Sequence, residues 1–134
     1  SNISGLYEVY RGACAGDFDG DGDVDIFVAN LNDTPTLLRN DGDAGNNWLT
    51  VSTVGSRSNR DGKGATILLT VDSRRHRRTV NGASSYLSHS EDGKVHFGMG
   101  RHRRGDVEVI WPDGRRSQYG DVTANTILIA RQDD

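Results

Sequence analysis

The sequence predicts an all-β protein: an antiparallel β-sandwich preceded by a β-hairpin that carries an acidic loop. Glycine is abundant, with 17 residues among 134, whereas proline occurs only twice, and this composition is typical of short strands joined by many turns. No window shows apolar residues at the spacing of an amphipathic helix. Several segments instead alternate between apolar and polar residues with the two-residue period of a strand.

The predicted hairpin is built around five closely spaced aspartates. They are Asp17, Asp19, Asp21, Asp23 and Asp25. Carboxylates so close together repel one another, and Ca²⁺ relieves the repulsion because it takes six to eight oxygen ligands. The first three aspartates fall at positions 1, 3 and 5 of a cation loop, and Gly22 stands at position 6, where a sharp turn is needed. The fourth aspartate would offer its backbone carbonyl, and the fifth would close the loop. The segment therefore predicts a bound Ca²⁺.

The loop does not belong to an EF-hand. Position 12 is Val28, where an EF-hand needs a bidentate glutamate. The flanking residues 12–16 and 25–29 also have the composition of strands, so the loop joins two strands of a hairpin. The alternative, a disordered acidic surface loop, fits less well because the segment leads directly into an apolar strand.

Charge divides the chain into two predicted units. Residues 1–45 hold nine acidic residues and two arginines, a net charge of −7, whereas residues 46–134 hold ten acidic and fourteen basic residues, a net charge of +4. The first unit is predicted to be a calcium-binding repeat. The chain begins abruptly, and we expect it to be part of a longer protein.

The second unit, 46–134, shows the alternation expected of a sandwich. Its apolar residues recur at every second position in three segments: Leu49, Val51 and Thr53; Ala65, Ile67, Leu69 and Val71; and Val107, Val109 and Trp111. A last strand is predicted at residues 127–130. Turns rich in glycine separate these segments, so six to eight short antiparallel strands are expected.

Two families resemble this sequence. Residues 15–30 resemble the FG-GAP or VCBS-type calcium repeat, in which each repeat forms one blade of a β-propeller, so the first unit resembles part of a last blade. Residues 46–134 resemble the ASPIC and UnbV domain. The matching segments are Asn47-Trp48-Leu49, Ser58-Asn59-Arg60-Asp61-Gly62, Ser85-Tyr86-Leu87-Ser88, His96-Phe97-Gly98-Met99-Gly100 and Trp111-Pro112-Asp113-Gly114. This domain usually follows FG-GAP repeats in secreted proteins, so the resemblance implies a secreted or cell-surface location.

Several classes of function find no support. The sequence lacks the motifs of common hydrolases, zinc enzymes and phosphate-binding loops, so we expect no catalytic activity. The acidic first unit and the negative net charge argue against nucleic acid, and no apolar run is long enough to span a membrane. Cys14 is the single cysteine, which excludes an intrachain disulfide; we expect it to pack as a small buried residue.

The second unit also carries candidate ligand-binding residues. Nine of the sixteen basic residues lie in three runs, 74–78, 101–104 and 115–116, and arginine binds carboxylates and sulfates with two hydrogen bonds. The predicted contacts are Arg75, Arg77, Arg101 and Arg103, with Tyr86 and Tyr119 stacking on a sugar ring. Trp48 is a further stacking candidate, whereas Trp111 shares the core face. An ordinary solvated face remains open as an explanation of the arginines.

The predicted function is that of a non-catalytic, calcium-stabilised extracellular module that recognises a carbohydrate or matrix glycan within a larger secreted protein. The alternative is a protein–protein adhesion module, or an architectural one that caps a propeller.

Overall fold

Ten β-strands and no helix form the regular structure of the described residues, which are 9–42, 45–81 and 93–133 of a computed structural model. The predicted all-β class is therefore confirmed. The described residues divide into two compact units, one from residues 9–42 and the other from residues 45–81 and 93–133. None of these residues belongs to a helix long and apolar enough to cross a membrane.

The first unit is a three-stranded antiparallel sheet, sheet A. Its strands, β1 (Tyr10–Gly16), β2 (Asp25–Asn30) and β3 (Thr36–Leu38), lie side by side in sequence order. The predicted hairpin is present, because β1 and β2 flank the acidic loop and pair directly. Cys14 is half-buried with a free thiol, less buried than expected. The sheet covers its apolar side chains poorly, since Phe27 and Leu37 each remain more than 40% exposed.

The second unit is a β-sandwich of seven strands in two sheets. Sheet B, of three strands, has the order β10-β4-β7, and sheet C, of four strands, has the order β6-β5-β8-β9. The strands are β4 (Asn47–Val54), β5 (Thr66–Val71), β6 (Arg74–Thr79), β7 (Lys94–Gly100), β8 (Arg104–Ile110), β9 (Arg116–Thr123) and β10 (Thr126–Arg131).

The core lies between sheets B and C. The apolar faces predicted from the alternating residues all point into it: Leu49 and Val51 from β4, Ile67 and Leu69 from β5, and Val107 and Val109 from β8 are each at most 1% exposed. Each such side chain contributes about 1.5–3 kcal/mol by leaving water. Trp111 is also buried, as expected, and its indole N–H donates to the Ser117 hydroxyl at 2.8 Å.

One pair of strands departs from the predicted antiparallel arrangement. Strand β10 runs parallel to β4, because residues 124 and 125 carry the chain from β9 in sheet C across the core to sheet B instead of closing a hairpin. Residue alternation defines faces but carries no strand direction. The same pairing leaves Ile127 and Ile129 half-exposed on the outer face of sheet B, while Ala130 points into the core.

Candidate functional site

The acidic loop connects β1 to β2, and its own backbone N–H groups shape it. Gly20 and Gly22 have φ angles of 77° and 93°, a conformation that is open to glycine at little cost. Their N–H groups donate to the two oxygens of Asp17, at 2.7 Å from Gly20 and 3.1 Å from Gly22. The alternation of aspartate with glycine therefore has a direct role, because it lets the loop fold around the first carboxylate.

Three of the five aspartates converge. One carboxylate oxygen from each of Asp17, Asp19 and Asp21 lies within 4.8 Å of the others. Oxygens that share one Ca²⁺ at about 2.4 Å can be at most about 4.8 Å apart, a limit that all three pairs of these oxygens satisfy. The donor set is entirely oxygen and partly exposed, which suits a hard cation. In the described residues, this is the one group of three or more metal-ligating side chains.

Asp25 lies outside this trio and closes the loop structurally. It is only 2% exposed, and its two oxygens accept the backbone N–H groups of Asn40 at 2.8 Å and Phe18 at 2.9 Å. These bonds, first that from Asn40 and then that from Phe18, lower the pKa of the Asp25 carboxyl. They tie the segment after β3 to the start of the loop. Coordination of Ca²⁺ by this side chain stays a prediction.

Asp23 also turns its side chain away from the trio. A Cβ placed on Gly42 would lie 1.8 Å from Asp23 Oδ2, so this carboxylate packs against the backbone after β3. Its own N–H donates to Asp21 at 2.8 Å. The predicted role of Asp23 used its carbonyl, and nothing in this packing tests that role.

Sequence reasoning did not identify Arg39 as part of this region. Its guanidinium lies 3.9 Å from Asp19 and pairs closely with Asp41. The signal was available, because Arg39 is one of only two basic residues among the first 45 and stands next to Asn40. An arginine at this distance offsets part of the negative charge that the loop concentrates.

The arginine runs form no single cluster. In sheet C, Glu108 accepts Arg116 at 2.8 Å and lies 3.5 Å from Arg75, and these cations hold its pKa below the usual value, with the Arg116 hydrogen bond as the largest cause. Arg104 begins β8, whereas Arg116 pairs with Ile110 at its end, so the second and third runs are about 20 Å apart.

The arginines predicted to contact a ligand therefore lie in different parts of the sandwich. Arg77 is exposed on β6, in register with Leu68, while Arg78 reaches inward over the Phe97 ring at 5.8 Å. Arg101 and Arg103 are exposed in the turn between β7 and β8. None of Arg77, Arg101 and Arg103 has an ion pair in the described part of the chain, unlike Arg75.

Tyr119 is the one of the two predicted tyrosines that lies among the described residues. Tyr86 lies outside the described residues. Tyr119 is half-buried against the core, and its hydroxyl both donates to the Arg131 carbonyl at 3.2 Å and accepts the Arg131 N–H at 2.9 Å. Tyr119 thereby joins β9 to β10 across the sandwich edge, and stacking of its ring on a sugar stays a prediction.

Comparison with known proteins places this architecture in context. The family model described as ASPIC and UnbV matches residues 55–134. Cartilage acidic protein 1 of Mus musculus is 36% identical over 108 residues, and the Homo sapiens protein is 35% identical over the same length. Each match covers 78% of this chain but only 16% of the relative, so the chain spans about a sixth of the length of these relatives.

Among solved structures, the major pilin subunit of Bacillus cereus matches with a TM-score of 0.34 and 13% identity, over 81% of this chain and 36% of the pilin. That likeness is too slight to define the fold further. The family model covers more than half of the chain and includes six of the seven strands of the sandwich in full. The chain therefore belongs to the ASPIC and UnbV family.

Proposed function

We propose that this chain is a calcium-stabilised, non-catalytic extracellular module that recognises a glycan as part of a larger secreted protein. The observation that carries the proposal is the convergence of the Asp17, Asp19 and Asp21 carboxylates within 4.8 Å. Homology to much longer proteins named for cartilage supports an extracellular setting. The resemblance of residues 15–30 to an FG-GAP or VCBS-type repeat supports the same assignment.

In this proposal the trio holds Ca²⁺ through side chains, and the Asp23 carbonyl and Asp25 complete the set. The ion supplies positive charge where three carboxylates meet, and it performs no reaction. Millimolar extracellular calcium suits an open loop of this kind. Binding to the folded state alone would stabilise it by about 2.7 kcal/mol when calcium exceeds its dissociation constant a hundredfold.

The calcium component is tested by thermal unfolding with excess calcium, magnesium or chelator. We expect the melting temperature to fall in chelator and to recover with calcium more than with magnesium. The D19A and D21A variants should remove the calcium response. Asp33→Asn should keep it, because Asp33 is exposed and, among the described residues, accepts a hydrogen bond only from the adjacent Thr34 N–H. An identical melt of the parent in calcium and in chelator would refute calcium stabilisation.

The glycan component is supported by the guanidinium groups of Arg77, Arg101 and Arg103, which have no ion pair among the described residues and can donate hydrogen bonds to carboxylate or sulfate oxygens. A glycan array that includes acidic and neutral saccharides tests it. Selective retention of acidic saccharides, weakened by salt, is the expected result. Absence of binding to every saccharide would remove the carbohydrate function.

A second candidate function, adhesion or the capping of a propeller, is favoured by the exposed apolar side chains of the first sheet. Phe27 and Leu37, which pair directly and share one face of the sheet, are 42% and 41% exposed, and large apolar side chains exposed together mark interaction surfaces. Ile26 is 44% exposed on the opposite face. The longer protein distinguishes the two functions. If Phe27→Ser weakens its folding or self-association while leaving glycan binding intact, the first unit serves architecture and recognition lies elsewhere.

A further inference from the structure

One end of sheet B brings an aromatic ring and two amides together. Trp48, near the start of β4, points to the outer face, opposite in parity to the buried Leu49. Its ring stacks on that of His96, with centroids 6.0 Å apart and planes inclined by 24°. On the same face, Ile127 of the neighbouring strand is 51% exposed. The result is an apolar and aromatic surface on a rigid sheet.

Two asparagine side chains border this surface. The Asn125 side-chain oxygen accepts the backbone N–H of Trp48 at 3.1 Å, and the Asn125 NH₂ donates to the Asn47 side-chain oxygen at 2.9 Å. The Asn47 NH₂ in turn donates to the Gly100 carbonyl at 3.2 Å. These bonds use one N–H of each NH₂ group, and each amide keeps a second N–H. Both amides are thus held in position, and among the described residues each keeps one N–H for a further hydrogen bond.

The sheet surface beside Trp48 carries no side chain at Gly98. Gly98 of β7 stands directly opposite Trp48 in the sheet, so the two face the same side. A Cβ built on Gly98 meets no heavy atom within 4 Å. A flat ligand can therefore approach the backbone here with the indole as a side wall. Glycine in a strand interior weakens the strand and often marks such a close approach.

Positive charge borders the same end. The turn 101–103 follows Gly100 immediately, and the Arg103 carbonyl accepts the Ala124 N–H at 2.8 Å, which places this turn beside Asn125. Arg101 and Arg103 are exposed and have no ion pair among the described residues. The nearby carboxylate of Asp121 is already bound by Arg104. Local charge therefore favours an anionic ligand.

We propose that this end of sheet B is a binding site for an acidic saccharide, with one sugar ring stacked on Trp48 and its carboxylate or sulfate held by Arg101 and Arg103. The Asn47 and Asn125 amides would bind sugar hydroxyls. This inference rests on the proposed glycan recognition and specifies its location and ligand class. It moves the centre of recognition from β6 and the tyrosines to Trp48.

A blocking substitution tests the location without removing a contact that the fold needs. Gly98→Val adds a side chain to this strand surface, where its Cβ meets no heavy atom of the described residues within 4 Å, and valine favours strands. Gly120→Val is the matched control, because Gly120 lies in the edge strand β9 of the other sheet and its Cβ would make only an ordinary 3.8 Å contact with Asp106. Both variants should keep the circular dichroism spectrum of the parent and should melt at the same temperature or a higher one.

The probes are oligosaccharides of hyaluronan, which carries carboxylates, of chondroitin 4-sulfate, which adds sulfates, and of chitin, which is neutral. We expect the parent to bind one or both acidic probes, and Gly98→Val to lose at least about tenfold in affinity because the ring can no longer stack. Gly120→Val should bind like the parent. Preference between the acidic probes identifies the anionic group, and tighter binding of the chitin probe would overturn the acidic assignment.

The arginines are tested in matched pairs. Arg101→Gln with Arg103→Gln should weaken acidic binding at low salt by about tenfold or more and flatten its salt dependence, whereas Arg60→Gln with Arg74→Gln, two exposed arginines outside the proposed contacts, should change little. If the parent binds acidic glycans, and Arg77→Gln weakens that binding while Gly98→Val does not, glycan recognition stands and this site is wrong. If the parent binds no probe, both proposals fail.

Discussion

Replacing Asp25 by asparagine tests whether this residue stabilises the acidic loop by its hydrogen bonds alone, separately from the three aspartates that converge as candidate ion ligands. In the parent, the Asp25 oxygens accept one N–H each from Asn40 and Phe18, and the residue is 2% exposed. A hydrogen bond to a charged group contributes about 1.5–3 kcal/mol. Asparagine keeps one acceptor oxygen but turns an NH₂ toward the second backbone donor. We therefore expect a loss of about 3 kcal/mol.

Hydrogen exchange in excess chelator is the measurement, because chelation removes any contribution from calcium. A loss of about 3 kcal/mol corresponds to roughly a hundredfold fall in protection, read at the paired strand residues Cys14 and Phe27. Protection at Val109, in the core of the sandwich, should not change, because the described residues form two separate compact units.

Two variants serve as controls. Asp33→Asn removes a charge in the same unit without touching a buried bond and should stay within about 0.5 kcal/mol of the parent. Asp19→Ala should also leave protection unchanged in chelator and lower it only when calcium is present. The reasoning fails if Asp25→Asn keeps parental protection in chelator, or if Asp19→Ala is equally damaging there.

Three further predictions concern the sandwich. Arg116 and Arg75 lower the Glu108 pKa in the folded state, so Glu108 stabilises the fold at pH values above its unfolded pKa of about 4.5. In urea unfolding, the stability deficit of Glu108→Gln should therefore shrink as the pH falls below that value. A deficit independent of pH would contradict the ion pair. Gln132→Ala removes an amide oxygen that accepts three successive backbone N–H groups at 3.1–3.2 Å, so urea titration should show a loss of about 2–4 kcal/mol, and a change below about 0.5 kcal/mol would refute it. Gly62→Ala places a Cβ 2.5 Å from the Thr53 hydroxyl at a φ of 67° and should lower the melting temperature by several degrees, whereas an unchanged melt would show that this turn can relax.

The predictions made from sequence succeeded where a local pattern carried the physical cause. The alternation in residues 65–71 and 107–111 determined which side chains enter the core, because neighbouring residues of a strand necessarily point to opposite faces. The hairpin around the acidic loop followed from apolar segments on both sides of it. The convergence of Asp17, Asp19 and Asp21 likewise agrees with their spacing, since these three lie within one glycine-containing turn.

Tertiary structure alone decided which contacts form between distant parts of the chain. Asp25 has the same spacing as the other aspartates, but its oxygens are occupied by a backbone N–H fifteen residues away and another seven residues away. Strand β10 joins β4 in parallel because of how the chain crosses the core. The arginine runs separate along sheet C, while Trp48, Asn47 and Asn125 meet across 78 residues. Local periodicity specifies the face on which a side chain lies, whereas its partners depend on strand order, direction and register, which only the assembled sheets define.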